Sequence, residues 1–373
     1  MAGVETAERF KGLDDWQVVC QFLPEGWEQA ARETGALRRT RGIKDAETLL
    51  RVLLVHLADG CSLHETAVRV RAAGWCGLSP VALFKRLRAA EQWLRWLAER
   101  LWRRPIVPTV PGTYRVRAVD ATTVQEPGST GTDWRVHFCL DLANLQCDHF
   151  ELTDAKGGET FRRIPVAKGD LMLGDRAYGT PPGVAHVSSA GGDVLVRITL
   201  QNMPLYSASG VKLAILKRLQ TVRLGETKKW ATWVRSGKQQ IAGRLVAVKR
   251  SVQATRAAQR RLRRKASRNQ TRLSERTLAG AGYVFVWTSI PKEVLTASEV
   301  MEYYRLRWQI ELAFKRMKSI LGLGHLPKES AGSCRAWIHG KLFIALLLER
   351  LLEEAEAVSP WGYRLESVAQ SLA

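Results

Sequence analysis

A chain of 373 residues is long enough for two or three domains around a sizeable core. Lys and Arg total 57 against 36 Asp and Glu, a formal net charge of +21, and the simplest partner for so basic a chain is a nucleic acid. The longest apolar run, LFIALLL at 342–348, is far too short to span a bilayer, and the opening MAGVETAERF lacks the basic-then-apolar order of an export signal, so neither membrane insertion nor secretion is expected. The 6 cysteines form no Cys-x-x-Cys pair and no ligand spacing with the 7 histidines, which argues against a zinc site or a disulfide framework and for reduced thiols.

Residues 1–105 read as helical throughout. DAETLLRVLLVHLADG has helical periodicity and stops at Gly60; CSLHETAVRVRAAGW opens on Ser62 and Glu65, a capping-box spacing, and stops near Gly74. LSPVALFKRLRAAEQWLRWLAERLW starts with Ser79 as cap and Pro80 in the first turn. Two helices joined by a short Gly-containing turn resemble a helix-turn-helix unit whose second helix carries Lys85, Arg86 and Arg88; a helical bundle with a solvated basic face is the competing reading. Trp93, Trp96 and Leu97 read as core, and the Pro-rich RRPIVPTVPG, 103–112, as a linker.

The pattern then changes to period two. YRVRAVDATTV, WRVHFCLDLAN and CDHFELTDA are expected to be three successive strands, and GDLMLGDRAYGT a buried strand over Leu171–Leu173 that ends at Gly174-Asp175. Residues 181–292 read as mostly β, with DVLVRITL, KKWATWVR, QQIAGRLVAVKR and GYVFVWTSI as strands. One interruption, between Lys249 and Arg276, holds 11 basic residues and a single acid, Glu275; it reads as a phosphate-contacting segment or a solvated basic arm. A helix follows, with Thr296 and Glu299 in capping-box spacing, and after Gly322 and Pro327 comes CRAWIHGKLFIALLLERLLEEAEA, apolar enough to pack on the core or on a second subunit.

The chemistry is expected where three acids meet. On a helix turning about 100° per residue, Tyr304, Arg307, Glu311 and Lys318 fall within about 60° of one another, beside the apolar stripe of Leu306, Ile310, Phe314, Met317 and Leu321. Asp120 shares a strand face with Val116 and Ala118, a costly place for an acid unless it is paired or metal-bound, and Asp175 closes a buried strand. If those strands are neighbours, two acids meet at one sheet edge and a nearby helix supplies Glu311. Three carboxylates together repel, and divalent metal relieves the repulsion; two such ions about 4 Å apart serve phosphodiester chemistry.

These residues also carry a resemblance. YYRLRWQIELAFKRMKS contains Tyr-x2-Arg-x3-Glu-x6-Lys at Tyr304, Arg307, Glu311 and Lys318, and is similar to the signature of DDE transposases of the insertion-sequence-4 family; AVDATTV around Asp120 and GDRAYG around Asp175 resemble the same family, with Ala177 where relatives commonly have Gly. The resemblance implies an α/β ribonuclease-H-like catalytic core at 106–180 and 293–345, a β-rich insertion at 181–292 with its basic segment at 249–276, an all-α N-terminal DNA-binding domain at 1–105 and a C-terminal helical tail at 346–373. It implies a cut-and-paste bacterial transposase, cytoplasmic and nucleoid-associated, in which Asp120, Asp175 and Glu311 hold two Mg²⁺ ions, with Mn²⁺ as substitute. By the same resemblance, water would cleave a strand at the transposon end, and the freed 3′-hydroxyl would form a hairpin and later join target DNA. Tyr304, Arg307 and Lys318 would hold phosphates. Arg176 and Tyr178 would touch DNA or support Asp175, and Arg197 is a weaker candidate. Lys85, Arg86 and Arg264 are expected on DNA through their charge, and either Tyr283 or Trp287 would hold a flipped base or sit in the core. The implied partners are double-stranded DNA, as transposon ends and target, and a second copy of the chain in a DNA-bound homodimer. The alternatives are a domesticated DNA-binding protein without catalysis, or a metal-dependent nuclease with the same core.

Overall fold

The computed structural model describes residues 14–102, 114–324, 326–327 and 330–358, with side chains up to Leu352; the expected linker at 103–112 and the tail beyond Pro360 lie outside the described residues. Among the described residues six helices precede the sheet: Asp15–Cys20, Trp27–Glu33, Ala46–Leu57, Leu63–Ala72, Pro80–Ala89 and Glu91–Trp102. Four of them begin at a capping side chain, Asp14, Asp45, Ser62 or Ser79. Ser62 Oγ accepts from the Glu65 amide at 3.1 Å, and Ser79 Oγ from the Ala82 amide at 3.2 Å. Gly74 ends its helix at φ +72°, a conformation that costs glycine little. The stretch between Leu63–Ala72 and Pro80–Ala89 runs over 73–79, longer than the three or four residues of a helix-turn-helix connection.

Eight strands form one sheet: β1 Arg115–Val124, β2 Trp134–Asp141, β3 Gln146–Asp154, β4 Asp170–Gly174, β5 Asp193–Arg197, β6 Thr227–Ser236, β7 Gln239–Lys249 and β8 Tyr283–Thr288. Their order is β3-β2-β1-β4-β5-β8-β7-β6. β1, β4 and β5 run parallel to one another, and the remaining pairings are antiparallel. The strands of the segment expected as a β-rich insertion, 181–292, continue the sheet: β5 pairs with β4, and β8, β7 and β6 extend the same sheet outward. The basic interruption is a regular helix, Val252–Arg268, whose N-cap Ser251 accepts from the Ala254 amide at 3.2 Å.

Both faces of the sheet are covered. On one face Ala118, Phe138, Leu171 and Leu173 pack with Ile310, Phe314 and Met317, and with Trp337 and Phe343 of the last helix, Ala331–Val358. On the other face Val119, Met172, Val194 and Val196 pack with Val184 and Val187 of the helix Pro181–Ser189. Each such buried side chain contributes roughly 1.5–3 kcal/mol of apolar transfer. The last helix lies on the helix Glu91–Trp102 and the rest of the chain's own core. Its Gly340 lets another helix come close, since a Cβ there would fall 2.5 Å from Leu57 Cδ1. Among the described residues no helix is long and apolar enough to cross a membrane, and the six cysteines form no disulfide with one another.

The helix expected to carry the polar row is two segments, Ala297–Leu306 and Trp308–Ser319, meeting at Arg307. Arg307 keeps near-helical dihedrals, φ −52° and ψ −25°, so the chain bends there rather than breaking. The Thr296–Glu299 capping box is formed: Thr296 Oγ1 accepts from the Glu299 amide at 3.3 Å, and Glu299 Oε2 from the Thr296 amide at 2.6 Å.

Candidate active site

Parallel pairing aligns the ends of three strands. Val119 is level with Gly174, and Gly174 with Val196, so Asp120, Asp175 and Arg197 form one row across β1, β4 and β5. Each acid is oriented by its own backbone: Asp120 Oδ1 accepts from the Ala121 amide at 2.8 Å, and Asp175 Oδ1 from the Ala177 amide at 2.8 Å. Gly174 lets the chain turn tightly here, because a Cβ would fall 2.7 Å from Tyr178 Cβ and 2.8 Å from Phe161 Cζ.

The helix Trp308–Ser319 is seated over this row by Ile310, Phe314 and Met317, with Phe314 meeting Phe138 edge-on at 5.8 Å between ring centres. Its following loop is tied to β1: the Gln125 amide donates to Gly324 O at 3.4 Å, and the Leu326 amide to Gln125 O at 3.0 Å. Arg307 then reaches both elements. Its Nη1 lies 3.3 Å from Asp120 Oδ2, and its Nη2 donates to Glu311 Oε1. Its guanidinium also lies 5.9 Å from the centre of the Tyr304 ring.

The electrostatics of the row are unbalanced. Burial, with the charges of Asp175 and Glu159 adding to it, pushes the Asp120 carboxyl up to about 7, against the opposing Ala121 hydrogen bond and Arg307. Burial and Asp175 likewise raise Glu159, which Arg135 partly offsets from 3.6 Å. On the other side of the row, burial and then Arg176 lower the Arg197 guanidinium, with Arg307 adding to the effect.

The structure thus brings Asp120, Asp175, Tyr304, Arg307 and Glu311 together, with Arg176 and Arg197 alongside. Among the described residues no three His, Cys, Asp or Glu side chains stand around one point as a metal cluster. Glu311 is held by Arg307, because a guanidinium between two carboxylates offsets charge that crowded acids cannot offset for one another. Even so, the donor set suits a hard divalent cation: two carboxylates side by side with the pKa of one strongly raised, and a third one helical turn from the bridging arginine. Asp120, Asp175 and Glu311 are the residues that could hold it.

Tyr178 lies beneath the acids, and the other expected residues stand apart from the row or inside the core. Lys318 is exposed two turns beyond Glu311, its ammonium pushed down by partial burial. Tyr178 is 1 % exposed and packs on Phe161 with ring centres 5.2 Å apart, so it offers no surface to DNA; burial raises its phenol. Trp287 is fully buried and donates through Nε1 to Thr232 Oγ1 at 3.0 Å, and Tyr283 is buried on the same face, so neither ring presents a face to a base here. Lys85 is exposed on Pro80–Ala89, but Arg86 is engaged within the chain, donating to Arg39 O at 2.6 Å and to Arg41 O at 3.2 Å. Arg264 is exposed on the helix Val252–Arg268. Glu159 was not anticipated. Its one local signal is the preceding Gly157-Gly158, and Gly157 passes so close to Thr153 that a Cβ would fall 2.0 Å from Oγ1.

A sheet edge with paired acids, an arginine-bridged glutamate and a basic surround is the arrangement of a nucleic-acid-processing enzyme. Residues 111–348 match the family model described as "Transposase DDE domain", and the chain belongs to that family. It is 32 % identical over 350 residues to the transposase for insertion sequence element IS421 of Escherichia coli, covering 91 % of this chain and 94 % of that one. It is 24 % identical over 372 residues to the transposase for insertion sequence element IS231F of Bacillus thuringiensis subsp. israelensis, covering 88 % and 77 %. Its fold is similar to that of a piggyBac transposase solved by cryo-electron microscopy in a synaptic complex with hairpin DNA, with a TM-score of 0.51, 10 % identity, and coverage of 96 % of this chain and 78 % of that one. The family implies use of a divalent metal and the cleavage or transfer of DNA strands.

Proposed function

We propose that this protein is a cut-and-paste DNA transposase of the insertion-sequence-4 type, built on a ribonuclease-H-like core. One observation carries the reading: Asp120 and Asp175 end adjacent parallel strands, and Arg307 ties Glu311 to the same place. The order β3-β2-β1-β4-β5, with the first three strands antiparallel and the last two parallel to β1, supports the core assignment. Two Mg²⁺ ions, or Mn²⁺ in their place, bound by Asp120, Asp175 and Glu311 would supply activation of the attacking oxygen and stabilisation of the leaving one.

The chain's own residues do the rest. Asp120, with its raised pKa, is poised to exchange a proton for a cation near neutral pH. A phosphate entering beside Tyr304 competes with the acids for Arg307, whose fork suits bidentate phosphate binding; as Arg307 turns to the phosphate, Glu311 is freed to complete the acid set. Lys318, about 10 Å farther along the helix, is a point charge for a neighbouring phosphate. One set of acids then serves strand cleavage by water, hairpin formation by the 3′-hydroxyl, and joining to target DNA, since each is an in-line displacement at phosphorus. Two ends acted on in concert call for a homodimer on double-stranded DNA.

The test is incubation of plasmid DNA carrying the transposon ends with the protein and Mg²⁺ or Mn²⁺. Nicking at the ends, followed by 3′-ends joined to new DNA, is expected from the parent chain, and Glu311→Gln is expected to abolish both while leaving end binding intact. Nicking without joining would make the protein a nuclease, and end binding without metal-dependent nicking a DNA-binding regulator.

A further inference from the structure

The row of strand ends does not stop at the acids. Arg197 closes β5 level with Asp175, and the turn between them is tight: a Cβ on Gly179 would fall 2.8 Å from Arg197 O and 3.5 Å from Arg176 O. β8 and β7 continue outward in antiparallel pairing, with Arg197 opposite Val286 and Lys249 opposite Tyr283. The C-terminal end of β7 therefore emerges at the same edge, about three residues or 10 Å beyond Arg197. There the Arg250 amide donates to Gly282 O at 2.8 Å, and Ser251 caps the helix Val252–Arg268.

The side chains along this path are cations that face cations. Arg197 is partly buried, with Arg176 and Arg307 as its charged neighbours and the Tyr304 phenol beside it. Arg250 is partly buried beside Arg197 and Arg261, and its Nε is enclosed with no hydrogen-bond partner. Among the described residues neither Arg197 nor Arg250 is ion-paired to a carboxylate. The helix that follows contains no acid at all. Its inner side is held by the Gln259 side chain, which donates to Leu278 O at 3.0 Å, and by buried Ala266. Its outer side exposes Arg256, Arg260, Arg263, Arg264 and Arg268, which fall within about 140° of one another.

Partly desolvated guanidiniums with no counter-charge, leading to an acid-free basic helix, ask for a polyanion of regular spacing. We infer that Arg197, Arg250 and the outer face of the helix Val252–Arg268 form a phosphate track that carries double-stranded DNA away from the catalytic acids. The inference rests on the reading of this protein as acting on DNA. A helix of this length spans about 25 Å, or about seven base pairs of duplex. The track contributes affinity and position rather than choice of sequence, because phosphate contacts carry no base information.

The probe is a linear duplex of arbitrary sequence, titrated across a range of salt concentrations with the full chain. The triple variant Arg256→Gln, Arg260→Gln, Arg264→Gln leaves a good helix former at each exposed position. It is expected to flatten the slope of log Kd against log salt by about two to three units, about 0.9 per lost phosphate contact, and Arg250→Gln by about one. The matching Arg→Lys triple is expected to restore the slope. Without any substitution, hydrogen exchange across 252–268 is expected to slow when the duplex is added. A parent slope that the Gln triple leaves unchanged, or no protection of 252–268, overturns the track while the DNA reading stands. A parent chain that binds no duplex overturns both.

Discussion

The two ends of β1 use the same residue types to opposite effect. At the start of the strand, Arg115 Nε meets Asp141 at 2.7 Å and its Nη2 meets Asp148 at 2.9 Å. Arg117 Nε meets Asp148 at 2.6 Å, and its Nη1 meets Asp170 at 2.7 Å and Pro165 O at 2.7 Å. Every carboxylate there has a guanidinium, and the site is closed. At the other end acids crowd acids, around Asp120, Asp175 and Glu159, while arginines crowd arginines, around Arg176, Arg197 and Arg250. Arg307 spans to Asp120 and Glu311, and Arg135 reaches Glu159 from 3.6 Å. The first end is neutralised within the chain; the second keeps like charges crowded on either side.

The contrast can be broken by substitution. The largest stability loss is expected at the closed end. Arg117→Met leaves Asp170 buried without its guanidinium and Asp148 with Arg115 alone, and should cost about 3–5 kcal/mol in denaturant unfolding. Asp120→Asn removes one of the crowded acids at the open end, and is expected to leave stability at neutral pH unchanged or improved while abolishing strand cleavage.

The pH dependence has a definite sign. A carboxyl whose pKa rises from 3.8 to about 7 on folding binds its proton more tightly in the folded state. Folding stability should therefore fall as pH rises from about 4 to about 7, by at most about 4 kcal/mol from this group, and stay flat above. Thermal melts across that range should show the decline in the parent chain and lose it in Asp120→Asn. Millimolar Mg²⁺ should raise the melting temperature more at pH 8 than at pH 5, and chelation should reverse the gain; an equal response at both would detach the cation from these acids. The smallest effect is expected from Glu159→Gln, under about 1 kcal/mol in stability. Its readout is instead a downward move of the Asp120 titration in isotope-edited infrared spectra, since one repelling charge is gone.

What could be read in advance was local. The serine caps, the alternation that sets Asp120 beside Val116 and Ala118, and the buried run ending at Asp175 depend on neighbours a few residues away, and the strands they mark are present. What could not be read was pairing at a distance. Nothing in DVLVRITL says that it lies parallel to β4, so the strands expected after 180 carried no sign of which sheet they extend. The density of arginine at 252–268 obscured a narrow inner stripe that holds a regular helix. Tyr178, Trp287 and Arg86 were ambiguous because aromatic rings and guanidiniums suit interiors and loop carbonyls as well as DNA, and only their packing decides. Glu159 acquires its meaning from the turn that carries it to Asp175, which no spacing rule reports.

The last helix settles a matter of architecture. Because Ala331–Val358 lies against both the helices ahead of β1 and the strand face beneath Glu311, one continuous apolar cluster runs from Leu49 and Leu57 through Phe343 to Ala118 and Leu173. Among the described residues this cluster joins the helices ahead of β1 to the sheet without a seam. Trimming the chain before β1 would strip the oily side of that helix rather than release a smaller working enzyme, and the two halves should melt in a single cooperative step.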